Sequence, residues 1–186
     1  VTNLGANVLL QNDGAGHFTD VTASAGVGDP GWSTAATFLD LDADGNLDLF
    51  VVNYLHWTKK IEQDCYGASL VATYCGPTVY EVPAMDRLYH NNGDGTFADI
   101  TVSAGINVAF GNGLGVVGAD FNGDGRADVF VANDTKVNQL WLNLGNLRFR
   151  EECMLWSCAM DSEGVEKAGM GVAVADVDDD GDSDLL

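Results

Sequence analysis

The stretch Asp120-Phe-Asn-Gly-Asp-Gly-Arg-Ala-Asp128, followed by the apolar run Val129-Phe-Val-Ala132, decides the fold of this chain. The same nine-residue pattern occurs three times, with Asp or Asn at positions one, three, five and nine and Gly at position six. The copies span residues 40–48 (loop 1), 120–128 (loop 2) and 176–184 (loop 3). Alternate oxygen donors converge on one point when the chain folds back at the Gly, and hard oxygen donors are the ligands of Ca²⁺. Three copies of one pattern favour metal binding over solvated turns.

We therefore predict three calcium sites, with position seven of each loop supplying a backbone carbonyl so that its side chain is free to vary. An EF-hand is excluded because position twelve is Val51 in the first copy and Val131 in the second, where an EF-hand needs Glu. The predicted metal residues are Asp40, Asp42, Asp44, Asn46, Asp48, Asp120, Asn122, Asp124, Arg126, Asp128, Asp176, Asp178, Asp180, Asp182 and Asp184. Loop 2 is expected to bind calcium more weakly than the other two, because Asn122 replaces a charged Asp.

A second repeated element predicts the architecture around the loops. An Asn-containing turn follows an apolar strand at residues 12–18, 91–97 and, in degraded form, 143–149. Asn and Gly supply the left-handed backbone of tight hairpins, so each turn joins two antiparallel strands. Together with the strands on either side of each acidic loop, this gives four short strands per unit, which is one propeller blade. Small residues such as Gly113 and Gly115 suit the crowded innermost strand.

The predicted fold is all-β, a partial β-propeller of four-stranded antiparallel blades amounting to about three blades of a larger propeller. We expect one incomplete propeller region over residues 1–186. It divides into the end of a blade (1–30), a complete blade with an insertion at about 54–83 (31–105), a second complete blade (106–160) and the start of another (161–186). Because propellers close with about four to eight blades, remaining blades or partner subunits are expected.

The composition is strongly acidic, with 28 Asp and Glu against 8 Lys and Arg and a net charge of -20. Of the 22 Asp residues, 11 occupy ligand positions of the three loops, so much of the acidity is local. Three Ca²⁺ ions would leave about -14, from -20 plus 6, which disfavours nucleic acid and anionic lipid as partners. No apolar stretch approaches the roughly 18 residues of a membrane span, so no membrane insertion is expected.

The four cysteines form two close pairs, Cys65 with Cys75 and Cys153 with Cys158. We predict two local disulfides, with zinc ligation as the alternative, although neither pair has the two-residue spacing of common zinc knuckles. Disulfides and calcium loops together predict an extracellular, cell-surface or periplasmic location.

The chain resembles the FG-GAP/VCBS repeat group, through Phe110-Gly111 ahead of Gly115 and through loop 2. It is most similar to the cartilage acidic protein family and its bacterial relatives, through the segment that holds Cys65 and Tyr74-Cys-Gly-Pro77 and through residues 86–105. The resemblance implies calcium binding by the Asp-rich loops and a secreted or surface propeller, frequently without known chemistry. Two features depart from the family: the third Asn turn, at Gly145-Asn-Leu147, and the pair Cys153 and Cys158.

No catalytic constellation is found. His17, His56 and His90 occur in unrelated contexts, and the chain contains no nucleophile elbow, phosphate loop or His-Glu-x-x-His motif. The sequence predicts a non-catalytic calcium-binding module that is structural or binds a protein or glycan, with the 54–83 insertion as the contact region, as a subunit of a larger assembly. The alternative is a fragment of a propeller enzyme acting on polysaccharide, with its active site outside this segment.

Overall fold

The computed structural model describes all 186 residues and confirms the all-β prediction. Helices are limited to two four-residue α-helices, α1 (Thr22–Ala25) and α2 (Thr101–Ala104), and two 3-10 turns at Pro77–Val79 and Ile106–Val108. The strands are β1 (Leu10–Asn12), β2 (Phe18–Asp20), β3 (Ser33–Leu39), β4 (Asp48–Asn53), β5 (Cys65–Tyr66), β6 (Ala72–Thr73), β7 (Arg87–Asn91), β8 (Phe97–Asp99), β9 (Gly113–Ala119), β10 (Asp128–Asn133), β11 (Gln139–Asn143), β12 (Phe149–Glu151), β13 (Val174–Ala175) and β14 (Asp184–Leu185).

Two four-stranded antiparallel sheets of the propeller-blade type dominate the molecule. The first blade has the order β3-β4-β7-β8, and the second has the order β9-β10-β11-β12. Three two-stranded sheets, β1-β2, β5-β6 and β13-β14, complete the structure. Equivalent positions pair alike in the two blades: Phe50 lies opposite Leu88 in the first, and Phe130 lies opposite Leu140 in the second.

The second strand of each blade is buried on both faces, which explains its continuous apolar sequence. Side chains alternate between the two faces of a strand, so Phe50 and Val52 join Val129 and Val131 in a core between the blades. The intervening residues of β4 pack against the region of α1, and those of β10 pack against the segment that follows β12. Each blade is therefore stabilised by burial against a neighbour on either side.

Glycines on β9 allow the first strands of the two blades to approach closely. A Cβ added at Gly113 would lie 2.1 Å from Cγ1 of Val52, and one added at Gly118 would lie 2.3 Å from Cδ1 of Leu39. The Thr34 hydroxyl donates a hydrogen bond of 2.7 Å to the carbonyl of Gly113, linking β3 to β9. The small residues of this strand therefore have the packing role that the sequence predicts.

The three Asn turns share one hydrogen bond. The side-chain oxygens of Asn12, Asn91 and Asn143 each accept from the backbone N–H two residues later, at 3.0, 3.0 and 2.9 Å. The third turn closes although it has lost the Gly-Asp-Gly sequence, and it does so with Asn146 and Leu147 both at φ 53°. This backbone is uncommon for a residue such as Leu.

A long insertion distinguishes the first blade from the second. Residues 54–86 connect β4 to β7, whereas residues 134–138 make the equivalent connection between β10 and β11. The insertion contains the β5-β6 hairpin and the disulfide between Cys65 and Cys75, whose Cα atoms are 5.3 Å apart. This disulfide agrees with the prediction.

The second predicted disulfide is absent, because Cys153 and Cys158 are both free thiols. The Cys158 thiol donates a hydrogen bond of 3.5 Å to the carbonyl oxygen of Cys153. Elsewhere, none of the helices has the length and apolar character that crossing a membrane requires.

Candidate metal centre

All three acidic loops are built on the same hydrogen bonds from position one. The two carboxylate oxygens of Asp40 accept the backbone N–H groups of Asp44 and Gly45, at 3.2 and 3.1 Å. Asp120 makes the same pair of bonds in loop 2, and Asp176 makes it in loop 3. The loop is thus curled around its first carboxylate, which brings the carboxyl or amide groups of positions three and five towards it.

The curl requires left-handed backbone at two positions rather than one. The Gly at position six has φ between 84° and 94° in the three copies, as the sequence predicts. Position four is also left-handed: φ is 62° at Ala43, 72° at Gly123 and 61° at Asp179. Non-Gly residues are uncommon in this region, so the loop is held there by its hydrogen bonds.

The Asp at position nine joins its loop to the sheet. In loop 1 the Asp48 carboxylate is buried and accepts from the N–H of Leu41 at 3.2 Å and the N–H of Asn91 at 2.9 Å. In loop 2 the buried Asp128 accepts from the corresponding groups of Phe121 and Asn143, at 3.1 and 2.7 Å. Each of these carboxylates therefore ties the start of its loop to the third strand of the blade.

Burial of the position-nine carboxylate has an electrostatic cost. Burial raises the pKa of Asp128, although the backbone N–H groups of Asn143 and Phe121 lower it, and the charges of Asp124 and Asp120 raise it further. A cation among these carboxylates would favour their ionised forms.

Beside loop 1 lies a histidine that the sequence analysis did not assign to the site. The Nδ1 atom of His90, on β7, lies 2.9 Å from Oδ1 of Asp48 and 3.7 Å from Oδ2 of Asp42. Ligand atoms of His90, Asp42 and Asp44 all lie within 4.8 Å of one another. Burial raises the pKa of Asp42, and the charges of Asp48 and Asp44 raise it further. Alignment of the repeats gives no signal for His90, because the equivalent strand position in the second blade holds Leu142.

Loop 2 carries its own positive charge. The guanidinium of Arg126 forms an ion pair with Asp124, and its Nε donates a 2.8 Å hydrogen bond to the carbonyl of Asn143. The sequence analysis leaves the side chain at position seven free to vary, and in loop 2 this side chain pairs with the predicted ligand Asp124. With Asn122 at position three, loop 2 contains three Asp and one Arg, a formal charge of -2.

Loop 3 is the most acidic, with six Asp among its nine residues. Carboxylate oxygens of Asp176, Asp178 and Asp184 all lie within 4.8 Å of one another. Two oxygens bound to one Ca²⁺ can be at most about 5 Å apart, twice the usual ligand distance of roughly 2.3–2.6 Å. The donor atoms and their separations in loop 3 therefore fit a calcium ion.

Repeated acidic loops on antiparallel four-stranded blades define a repeat protein of the propeller type. The model of the family described as FG-GAP-like repeat matches residues 1–51, 79–131 and 120–186, and each match includes an acidic loop. The chain therefore belongs to the FG-GAP-like repeat family. The matches leave out residues 52–78, which make up much of the insertion.

The curated relatives include cartilage acidic protein 1 from three vertebrates. The human protein is 43% identical over 67 residues, and the proteins of Mus musculus and Xenopus tropicalis are each 42% identical over 67 residues. Each alignment covers 34% of this chain and 10% of the relative. The chain thus matches about a tenth of the length of these relatives.

Proposed function

We propose that this chain is a calcium-binding, non-catalytic propeller module in which the three ions fix the acidic loops between the first and second strands of their blades. One observation carries the proposal: three loops far apart in the sequence hold their position-one carboxylates in the same pair of backbone hydrogen bonds. Acidic side chains also lie close together in two of the loops, with ligand atoms of Asp42, Asp44 and His90 within 4.8 Å of one another at loop 1 and those of Asp176, Asp178 and Asp184 within 4.8 Å in loop 3.

The electrostatics of the loops support a divalent cation. Formal charges are -4 in loop 1, -2 in loop 2 and -6 in loop 3, counted over residues 40–48, 120–128 and 176–184. Carboxylates within 4.8 Å of one another repel, and a bound cation replaces that repulsion with attraction. An ion that binds the folded loops and not the unfolded chain stabilises the fold by mass action.

The insertion is the proposed contact surface for a protein or glycan partner. Its hairpin presents apolar and aromatic side chains to solvent, and the strongly exposed ones are Tyr66, Leu70, Val71 and Tyr74. The Cys65–Cys75 disulfide fixes the base of this hairpin, which reduces the entropy lost when a partner binds. The disulfide and the calcium loops together support an extracellular, cell-surface or periplasmic location.

Thermal unfolding with calcium, with excess chelator and with magnesium in place of calcium tests the metal proposal. At calcium concentrations about 100 times the dissociation constant, each occupied site contributes about 2.7 kcal/mol, a rise in midpoint of roughly 5–10 °C. Magnesium should give a smaller rise, because it dehydrates reluctantly and demands octahedral geometry. Asp44→Ala should reduce the calcium-dependent rise.

Asp64→Ala is the matched control for that substitution, since Asp64 is an exposed Asp outside the loops and should leave the rise unchanged. An unchanged midpoint in all three conditions, together with metal analysis that finds no bound calcium, would overturn the proposal.

A further inference from the structure

An aromatic cleft lies between the insertion and the first blade. Its volume is about 610 Å³, and its aromatic walls are Trp32, Tyr54, Trp57, Tyr74 and Tyr80. These include two of the four Trp and three of the five Tyr residues of the chain, whereas none of the eight Phe residues lines the cleft. The cleft thus concentrates the two aromatic residue types whose polar group can interact with a carboxylate while the ring faces a ligand.

The rings are set at steep angles to one another. Trp32 lies at 75° to Tyr54 with centroids 5.1 Å apart, and at 76° to Trp57 with centroids 6.2 Å apart. Tyr74, on the insertion, has a side chain that is almost completely exposed, at 99%. An aromatic ring that the fold leaves uncovered beside three packed rings is available for contact with a bound molecule.

The polar groups of the walls are engaged by carboxylates. Glu62 accepts hydrogen bonds from Trp57 Nε1 at 2.6 Å and from the Tyr80 hydroxyl at 3.2 Å. The Tyr54 hydroxyl donates to Asp134 of the second blade at 2.8 Å. The donor groups of these three aromatic residues are therefore already in use, so a saccharide would find few free donors for its hydroxyl oxygens on them.

The charge of the cleft favours a cation. No Lys, Arg or His lies within 4.0 Å of a carboxylate oxygen of Glu62, so its charge has no partner within the chain. Hydrogen bonds that rings donate to carboxylates add negative character to the ring faces. Such faces attract a cation through their quadrupole, Trp most strongly, and the net charge of -20 adds to that attraction.

We propose that the aromatic cleft binds a small organic cation that carries a quaternary ammonium group. Such a group has a positive charge and a methyl surface and donates no conventional hydrogen bond. It therefore matches a site that offers ring faces, a carboxylate with no ion-pair partner and few free hydrogen-bond donors. This goes beyond the proposed function, whose calcium sites do not depend on the cleft.

Calorimetric titration with choline, in saturating calcium, is the direct test. The neutral carbon isostere 3,3-dimethylbutan-1-ol has the same shape without the charge, and it should bind at least about tenfold more weakly. Glu62→Gln keeps the size of the side chain and should weaken choline binding about tenfold. Tyr74→Ala removes an exposed ring, so folding is not at risk, and it should weaken binding several-fold.

The chain supplies a matched control outside the cleft. Trp156 Nε1 donates to Glu152 at 3.1 Å, so Glu152→Gln breaks the same kind of Trp–Glu hydrogen bond elsewhere and should leave choline affinity unchanged. Equal binding of choline and its isostere would overturn the proposal by showing an apolar pocket without charge selectivity. Absence of choline binding, or tighter binding of a neutral oligosaccharide than of choline, would also overturn it.

Discussion

The two complete blades share the hydrogen bonds that attach the acidic loop to the sheet and differ in the residues around that loop. In both, the position-nine Asp is buried and accepts the same two backbone N–H groups, so the loop is fixed to the third strand in the same way. The differences are His90 against Leu142, Asn46 against Arg126, Asp86 against Asn138, and 33 connecting residues against 5. Backbone hydrogen bonds therefore fix where each loop lies, whereas the side chains around the loop set its charge and the access of ligands to it.

Removing the shared hydrogen bonds should have the largest effect on the free energy of unfolding. Asp128→Ala leaves the buried N–H of Asn143 and the partly buried N–H of Phe121 without an acceptor, and we expect it to lower the free energy of unfolding by about 3–5 kcal/mol, even without metal. Denaturant unfolding in chelator measures this. Asp184→Ala is the control, because Asp184 is only half-buried and accepts one backbone N–H, so about 1 kcal/mol is expected. Equal losses would show that the buried attachment is not what distinguishes the complete blades.

A second prediction concerns Asp86 and Asn138, which occupy equivalent positions in the two blades. Asp86 accepts the backbone N–H of Asn53 at 2.9 Å, and Asn138 accepts that of Asn133 at 3.0 Å. Burial raises the pKa of Asp86 to about 7, the N–H of Asn53 lowers it, and the charge of Asp29 adds a further rise. Because this pKa is higher in the folded than in the unfolded chain, protonated Asp86 stabilises the fold. This contribution to the free energy of unfolding is complete below about pH 4 and is lost as the pH rises to 7.

Asp86→Asn should therefore match the wild type near pH 4 and exceed its free energy of unfolding by about 3 kcal/mol at pH 8. The measurement is the difference between the two pH profiles, in which other titrating groups cancel. Asn138→Asp is the reciprocal change and should create a similar pH dependence in the second blade. Parallel profiles for wild type and Asp86→Asn would contradict this explanation.

The packing between the blades gives the third prediction. Gly113→Ala would force a methyl group against Cγ1 of Val52, a buried β-branched side chain with little freedom to move, and should cost about 2 kcal/mol. Gly171→Ala is the control, since a Cβ there meets no atom within 4 Å. Thermal unfolding of both variants in calcium tests the difference. An unchanged midpoint for Gly113→Ala would mean that the two blades can move apart without a loss of stability.

The smallest expected effect concerns the order in which the loops fill. Loop charges predict that calcium affinity falls from loop 3 to loop 1 to loop 2. Arg126→Ala frees Asp124 from its ion pair and should raise the affinity of loop 2 about fivefold, or roughly 1 kcal/mol. The backbone amide resonances of Gly45, Gly125 and Gly181 report each loop separately during a calcium titration. If loop 2 fills first, the charge argument fails.

Much of this architecture could be predicted because it rests on local signals. Alternating donors and a Gly at position six identify the loops, and apolar runs such as Asp128–Asn133 identify the buried strands. What could not be predicted depends on which residues meet across the sheet. His90 reaches Asp48 only through the pairing of β4 with β7, 42 residues away in the sequence, and Arg126 meets Asn143 only because the turn lies beside the loop.

The missing disulfide has a similar explanation. Sequence spacing brings Cys153 and Cys158 near each other, but whether they bond depends on the geometry of the intervening turn, where Ser157 has φ 58°. The left-handed backbone at Ala43 could not be predicted, because Ala does not favour that conformation. In both cases the backbone conformation is set by the contacts of the turn and not by residue preference.

The glycines of β9 also bear on how such a chain can evolve. Gly118 leaves room for Leu39 of the preceding blade, whereas the equivalent residue of the first blade is Phe38. A tandem duplication of the first blade would therefore place a Phe ring where Leu39 now lies, and the copy would not fit behind its parent. Although the units share one pattern, the first strand of the second blade is specific for the blade that precedes it, and a duplicated first blade would need a smaller residue at position 38.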